Sequence, residues 1–138
     1  MSGLARFVAA QAPVYRQALA ELRAGEKRGH WMWFIFPQIA GLGHSATARF
    51  FAIADRAEAR AYLAHDVLGP RLGECTDAML GWAGQRDAAA ILGPIDALKF
   101  ASSMTLFEAA GGDVRFARAI AAFHGGARDE RTLALLGQ

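Results

Sequence analysis

Apolar residues recur at helical spacing along almost the whole chain, and no stretch alternates with period two, so sheet is expected to be absent or trivial. The fold this pattern predicts is all-α: one compact domain over residues 1–138, a multi-helix array around a central helix near residues 94–110. Leu4, Phe7 and Val8 mark a first helix. Pro13 can open a second, with Val14, Ala18, Leu19 and Leu22 on its inner face and Gly25 at its end. Ser45 serves as the cap of a segment ending near Ile53, and Asp55 caps another up to Ala64. A longer helix is expected from Gly69 or Pro70 to Trp82, burying Leu72, Cys75, Met79 and Leu80, followed by a short turn over Asp87–Leu92. Pro94 opens a strong helix to Ala110, which Gly111 and Gly112 end. Asp113 then caps a segment to about Phe123, and a last piece spans Asp129–Leu136.

Length and composition narrow the function classes. A chain of 138 residues that is 54% hydrophobic and 20% charged is too short for two ordinary domains and too apolar to be disordered. The longest apolar run, Trp31 to Pro37, is far short of the roughly 18 residues that a membrane span needs. The N-terminus lacks the basic start and apolar block of a secretory signal, and one cysteine, Cys75, allows no internal disulfide. A cytoplasmic location is therefore expected. The net charge of +2 and the singly scattered arginines argue against nucleic acid as a partner, and the membrane is set aside as well.

Of the 15 basic residues only Lys27 and Lys99 are lysine. A compact ammonium can lose its proton when buried and a guanidinium cannot, so a lysine kept in an arginine-rich chain is a candidate site residue. Each lysine falls in an unusual window. The first runs from Lys27 to Gln38 and holds Trp31, Trp33, Phe34 and Phe36 beside His30. An aromatic wall next to a cation and a titratable imidazole suits a flat ring carrying an anion, as in a nucleotide. The bland alternative is a core plug in which His30 merely caps, with Gln38 as a loop amide held to the backbone.

The second window runs from Asp96 to Phe107. On a helix, Asp96, Lys99, Ser102 and Ser103 share one strip, while Leu98, Phe100, Ala101, Met104 and Phe107 cover most of the rest. Two hydroxyls one turn from an ammonium can hold a phosphate or carboxylate, or the lysine can activate a serine. Against this stand a plain Lys99–Asp96 pair and serines that bond back to the preceding turn. The candidate site is His30, Lys99 and Ser103 as chemical groups, with Lys27, Trp31, Trp33, Gln38, Ser45 and Ser102 as ligand contacts.

The two windows, with Gly41-Leu42-Gly43-His44-Ser45 and Val67-Leu68-Gly69-Pro70-Arg71-Leu72, closely resemble the bacterial family called domain of unknown function 1810. The resemblance runs from Phe7 to Leu136 and implies an all-helical single-domain fold; it implies no reaction. Two positions depart from the family pattern: Gly29 stands where members usually carry serine, and Phe51 where they carry tyrosine. Any role those hydroxyls have in relatives is lost here. Members sometimes carry the label calpastatin, after an inhibitor built of extended disordered repeats; this chain has neither the repeats nor the composition, and the label is set aside.

Two functions from different classes follow. One is binding or hydrolysis of a nucleotide-like molecule, at an N-glycosidic or ADP-ribosyl bond, with the tryptophans stacking, Lys99, Ser102 and Ser103 holding an anion, and His30 as acid or base. The other is a non-catalytic helical module whose aromatics are core and whose function lies in a protein partner or in self-association. No cofactor is expected, and His30, His44, His65 and His124 share no metal-ligand spacing. Cys75 reads as a small core residue.

Overall fold

The structure is a computed structural model that describes residues 3–137. Its helices are α1 (Ala5–Gln11), α2 (Tyr15–Ala24), α3 (Met32–Ile35), α4 (Ala46–Phe50), α5 (Arg56–Ala64), α6 (Leu68–Leu80), α7 (Ala88–Leu92), α8 (Pro94–Ala109), α9 (Val114–His124) and α10 (Glu130–Leu135). Local chemistry sets where many of them begin. Ser45, Asp55, Asp87, Asp113 and Asp129 each accept a hydrogen bond from a backbone N–H of the first turn that follows, satisfying a donor the helix itself leaves orphaned. Pro94 opens α8, where its missing N–H costs nothing. At Gly25 the backbone turns left-handed (φ 74°) and ends α2, a conformation that favours glycine.

Helix α2 starts at Tyr15, with Pro13 in the turn before it, and three further boundaries depart from the sequence reading for a local reason. Helix α4 stops at Phe50 because the Ile53 N–H bonds instead to the Gln38 carbonyl (2.9 Å) and the Ile53 carbonyl accepts from Ala40 (2.8 Å). These bonds form an isolated parallel bridge between Ile39 and Ile53. Helix α6 starts earlier than Gly69 because His65 Nδ1 accepts from the Val67 and Leu68 N–H groups (3.1 and 3.2 Å), a cap supplied by an imidazole. The same helix ends at Leu80, and Trp82 beyond it donates its indole N–H to the Leu22 carbonyl (3.0 Å), tying this turn to α2.

Helix α8 is the axis of the array and packs against α5, α7, α9 and α10, while α6 is flanked by α2, α5 and α9. From Ser102 to Phe107 every residue of α8 is buried, which requires neighbours on all sides. Phe100, Met104, Leu106 and Phe107 have no exposed surface. The first turns of the same helix emerge on one side: Ile95 and Leu98 are each 71% exposed, with Asp96 and Lys99 half-buried between them. The polar strip read from the sequence thus runs from the surface into the core along one helix. No helix among the described residues is long and apolar enough to cross a membrane.

Candidate functional site

The site begins with a carboxylate that anchors the first window. Glu21 on α2 accepts from the backbone N–H of Arg28 (2.7 Å), the N–H of Gly29 (2.9 Å) and the Trp31 indole (3.0 Å) through Oε1, and from Gln17 (2.9 Å) through Oε2. Partial burial opposes the charge on Glu21, but the Gly29 and Arg28 donors, with Gln17 and Trp31, outweigh it and lower the pKa from 4.5 to about 2. The chain from Gly25 to Trp31 is thereby fixed, and Trp31 is sealed in the core at 2% exposure. Gly29 suits this path, since a Cβ there would lie 2.8 Å from the Trp31 ring. Phe51, the other departure from the family pattern, packs among Phe7, Phe34 and Phe50.

Three contacts join the two windows. Phe36 meets Phe100 edge-on at 4.9 Å between centroids. Lys27 Nζ lies 2.9 Å from Asp96 Oδ2 and also donates to the Gly29 carbonyl (2.6 Å) over the Trp31 ring, 5.1 Å from its centroid. Lys99 Nζ is 3.5 Å from the other oxygen of Asp96 and 5.3 Å from the Trp33 centroid. One carboxylate therefore serves both lysines of the chain, and each ammonium rests on a different tryptophan. The two ammoniums differ in freedom. Lys27, with 9% of its side chain exposed, is fully engaged; Lys99, with 28% exposed, has one long ion pair and no hydrogen bond among the described residues.

Lys99 opens onto a groove of about 600 Å³ between α8, the loop from Gln38 to Gly43, and the chain from His124 to Arg131. Leu42 and Leu98 supply apolar wall; Gln38, Ser102, His124 and Arg131 supply polar groups. Several charges along it are already spent. Arg128 is held by Glu108 (2.6 and 2.8 Å), which in turn keeps the Glu108 carboxyl below its ordinary range. Asp129 accepts from the Thr132 N–H (3.0 Å), the Thr132 hydroxyl and Ser102 (3.3 Å) while capping α10. Exposed Arg131 makes no ion pair among the described residues. What the groove offers a ligand is thus cationic: the ammonium of Lys99 and the guanidinium of Arg131.

The sequence-predicted residues separate on this map. Lys99, Ser102 and Gln38 line the groove, and Trp33 stands behind Lys99. The Ser102 proton is directed to Leu98 O (3.2 Å) or Asp129, so this hydroxyl faces the groove as an acceptor. Ser103, one residue on, is fully buried, its hydroxyl has no hydrogen-bond partner among the described residues, and it does not line the groove. Lys27 and Trp31 lie beneath the site as its support, His30 is exposed outside it, and Ser45 is exposed and engaged in capping α4. His124 and Arg131 were not singled out from the sequence. Burial lowers the His124 pKa below 6.5, and its Nε2 is buried without a hydrogen-bond partner among the described residues. The available signal was its place as the last residue of α9, before Gly125 and Gly126.

A second surface cleft, between Arg23, Glu74, Asp77 and Arg115, is occupied by its own ion pairs, Arg23–Glu74 at 3.6 Å and Arg115–Asp77 at 3.2 Å. Among the described residues, no three His, Cys, Asp or Glu side chains gather as a metal site would require. Cys75 is buried, which pushes its thiol up to about 12.

Comparison with known proteins gives a family and a fold. A family model described as "Protein of unknown function (DUF1810)" matches residues 1–136. A crystal structure of a conserved hypothetical protein from Mycobacterium tuberculosis is 53% identical, covers 98% of this chain and 96% of its own, and superposes with a TM-score of 0.94. No curated protein matches the chain.

Proposed function

We propose, for a chain that belongs to the DUF1810 family and takes no assigned reaction from it, that the groove beside Lys99 binds a small anionic molecule of nucleotide type. One observation carries the reading: two cationic side chains without a hydrogen-bond acceptor among the described residues, Lys99 and Arg131, border a single groove whose other polar lining is Gln38, Ser102, His124 and the already paired Arg128 and Asp129. A phosphate would meet the cations, and the flat part of the ligand would lie along Leu42 and Leu98. The volume of about 600 Å³ falls within the roughly 300–1,000 Å³ of ordinary ligand sites. Were the molecule cleaved at an N-glycosidic or ADP-ribosyl bond, proton transfer would fall to His124, which lines the groove and whose pKa burial lowers, rather than to exposed His30, which does not line it.

A second reading has one observation in its favour. Ile95 and Leu98 stand exposed on α8 at the edge of the groove, as they would in a module that docks a protein partner.

Thermal denaturation in the presence of AMP, NAD, ADP-ribose and inorganic phosphate separates the two. A ligand at 100 times its dissociation constant adds about 2.7 kcal/mol, a visible rise in melting temperature. Lys99→Met should keep the unliganded melting point within a few degrees and abolish the rise, and Lys99→Arg should restore it only in part, because the fork differs in size and shape. Absence of a rise with every anion, or a rise unaffected by Lys99→Met, would end the nucleotide reading.

A further inference from the structure

We propose that Lys27 is a positioning residue: by neutralising Asp96 it releases Lys99 to the anionic group of a ligand in the groove. The inference rests on the reading of the groove as an anion site and assigns a role to residues that do not touch the ligand.

The geometry of the shared carboxylate carries it. Asp96 gives its closer contact, 2.9 Å, to Lys27, and its longer one, 3.5 Å, to Lys99. Lys27 cannot itself serve a ligand. Its ammonium is met by Asp96, by the Gly29 carbonyl at 2.6 Å and by the face of buried Trp31, and it does not line the groove. Lys99 lines the groove beside the Trp33 ring, with its long ion pair to Asp96 and no hydrogen bond among the described residues.

The arrangement matters because of what a lone Asp96–Lys99 pair would do. A half-buried carboxylate with Lys99 as its only counterion would compete with any incoming anion for that ammonium, and losing it would leave a partly desolvated charge unpaired. It would also repel the anion directly. With Lys27 in place, Asp96 stays compensated while Lys99 turns outward, and the trio keeps one positive charge in excess. The loop that delivers Lys27 is the one Glu21 locks through Arg28 and Gly29, so the compensating charge is built into the fold.

The test is a double-mutant cycle read by lysine NMR. Because the chain has only two lysines, protein made with 13Cε-lysine gives two side-chain signals, and each should carry a ring-current shift from the tryptophan beneath it. AMP and inorganic phosphate are the probes. Both should move the Lys99 signal and leave that of Lys27 nearly in place. Lys27→Met should weaken AMP binding at least about tenfold: a unit charge felt over about 12 Å at an effective dielectric near 20 already amounts to tenfold, and the carboxylate of Asp96, left uncompensated, lies closer to Lys99 than that. In the Asp96→Asn background the same substitution should cost less than about threefold, since no carboxylate is left to recapture Lys99.

Equal loss in both backgrounds, or no loss in either, overturns the proposal. Without any ligand, Lys27→Met should shift the Lys99 signal while Asp96 is present and leave it unmoved once Asp96 is Asn; an unmoved signal in both also overturns it. This arm separates the two ideas. If neither probe binds but the Lys99 signal responds as stated, the shared carboxylate stands and the ligand reading falls. If AMP binds at Lys99 whatever stands at position 27, the reverse holds. Should Lys27→Met not fold, Lys27→Gln takes its place in both backgrounds, and equal loss in both or no loss in either overturns the proposal.

Discussion

Replacing Glu21 by alanine tests whether the first window is held as described. Its carboxylate is the acceptor for two backbone N–H groups, the Trp31 indole and Gln17. Charge-assisted hydrogen bonds contribute about 1.5–3 kcal/mol each, but the Arg28, Gly29 and Gln17 donors lie near solvent and can be rehydrated. The indole of Trp31 cannot, because that side chain is only 2% exposed. Counting most of one such bond and a fraction of the other three gives a loss of about 3 kcal/mol for Glu21→Ala. For a domain of this length that is a fall in melting temperature of about 10 °C. Glu21→Gln should cost less, because an amide oxygen keeps part of the set, and it adds a pH signature. The wild-type carboxyl is held at about 2 against an ordinary 4.5, so its stabilising effect is complete above about pH 4.5 and is lost as the pH falls toward 2. Urea denaturation at about pH 7 and about pH 3 should therefore show the gap between wild type and Glu21→Gln shrinking by at least half. A loss below about 1 kcal/mol for Glu21→Ala, or a gap that does not change with pH, would refute the anchoring role.

His124 has its pKa lowered by burial, so the folded protein favours the neutral imidazole and stability should fall as the pH drops below about 6.5; His124→Gln should lose that acid-side slope in urea titrations, and an unchanged slope would count against it. A Cβ at Gly69 would sit 2.2 Å from the Leu63 carbonyl oxygen, so Gly69→Ala must move backbone where α5 meets α6 and should cost about 2 kcal/mol in chemical denaturation. At Gly73 the added carbon meets only the flexible tip of Arg115, 1.8 Å away, so Gly73→Ala should be the milder of the two; the opposite order would contradict this packing.

The helical plan was legible because its signals are local. Each expected cap, Ser45, Asp55 and Asp113, works within three residues of its helix, and the apolar circumference of residues 97–107 could belong only to a surrounded helix. Legibility fades where the outcome depends on which neighbour arrives. Ser102 and Ser103 are adjacent in sequence, yet about 100° of helical rotation sends one to the groove and the other into the core. Trp31 and Trp33 part in the same way, one sealed on Glu21 and the other half-exposed beneath Lys99. The lysine count singles out two residues that one carboxylate joins, and no spacing in the sequence marks Asp96 as lying between them. The third wall of the groove, from His124 to Arg131, contains a glycine pair and carries no motif, so nothing local marks it.

The most direct test of the central claim is a crystal structure of the protein grown with AMP or ADP-ribose at several times the concentration that shifts its melting point. The account predicts the ligand in the groove between α8 and the His124–Arg131 segment, with a phosphate oxygen within hydrogen-bonding distance of Lys99 Nζ and Lys27 still paired to Asp96. Phosphate seated instead among Arg23, Glu74 and Arg115, or a groove that stays vacant while the ligand binds elsewhere, would contradict it.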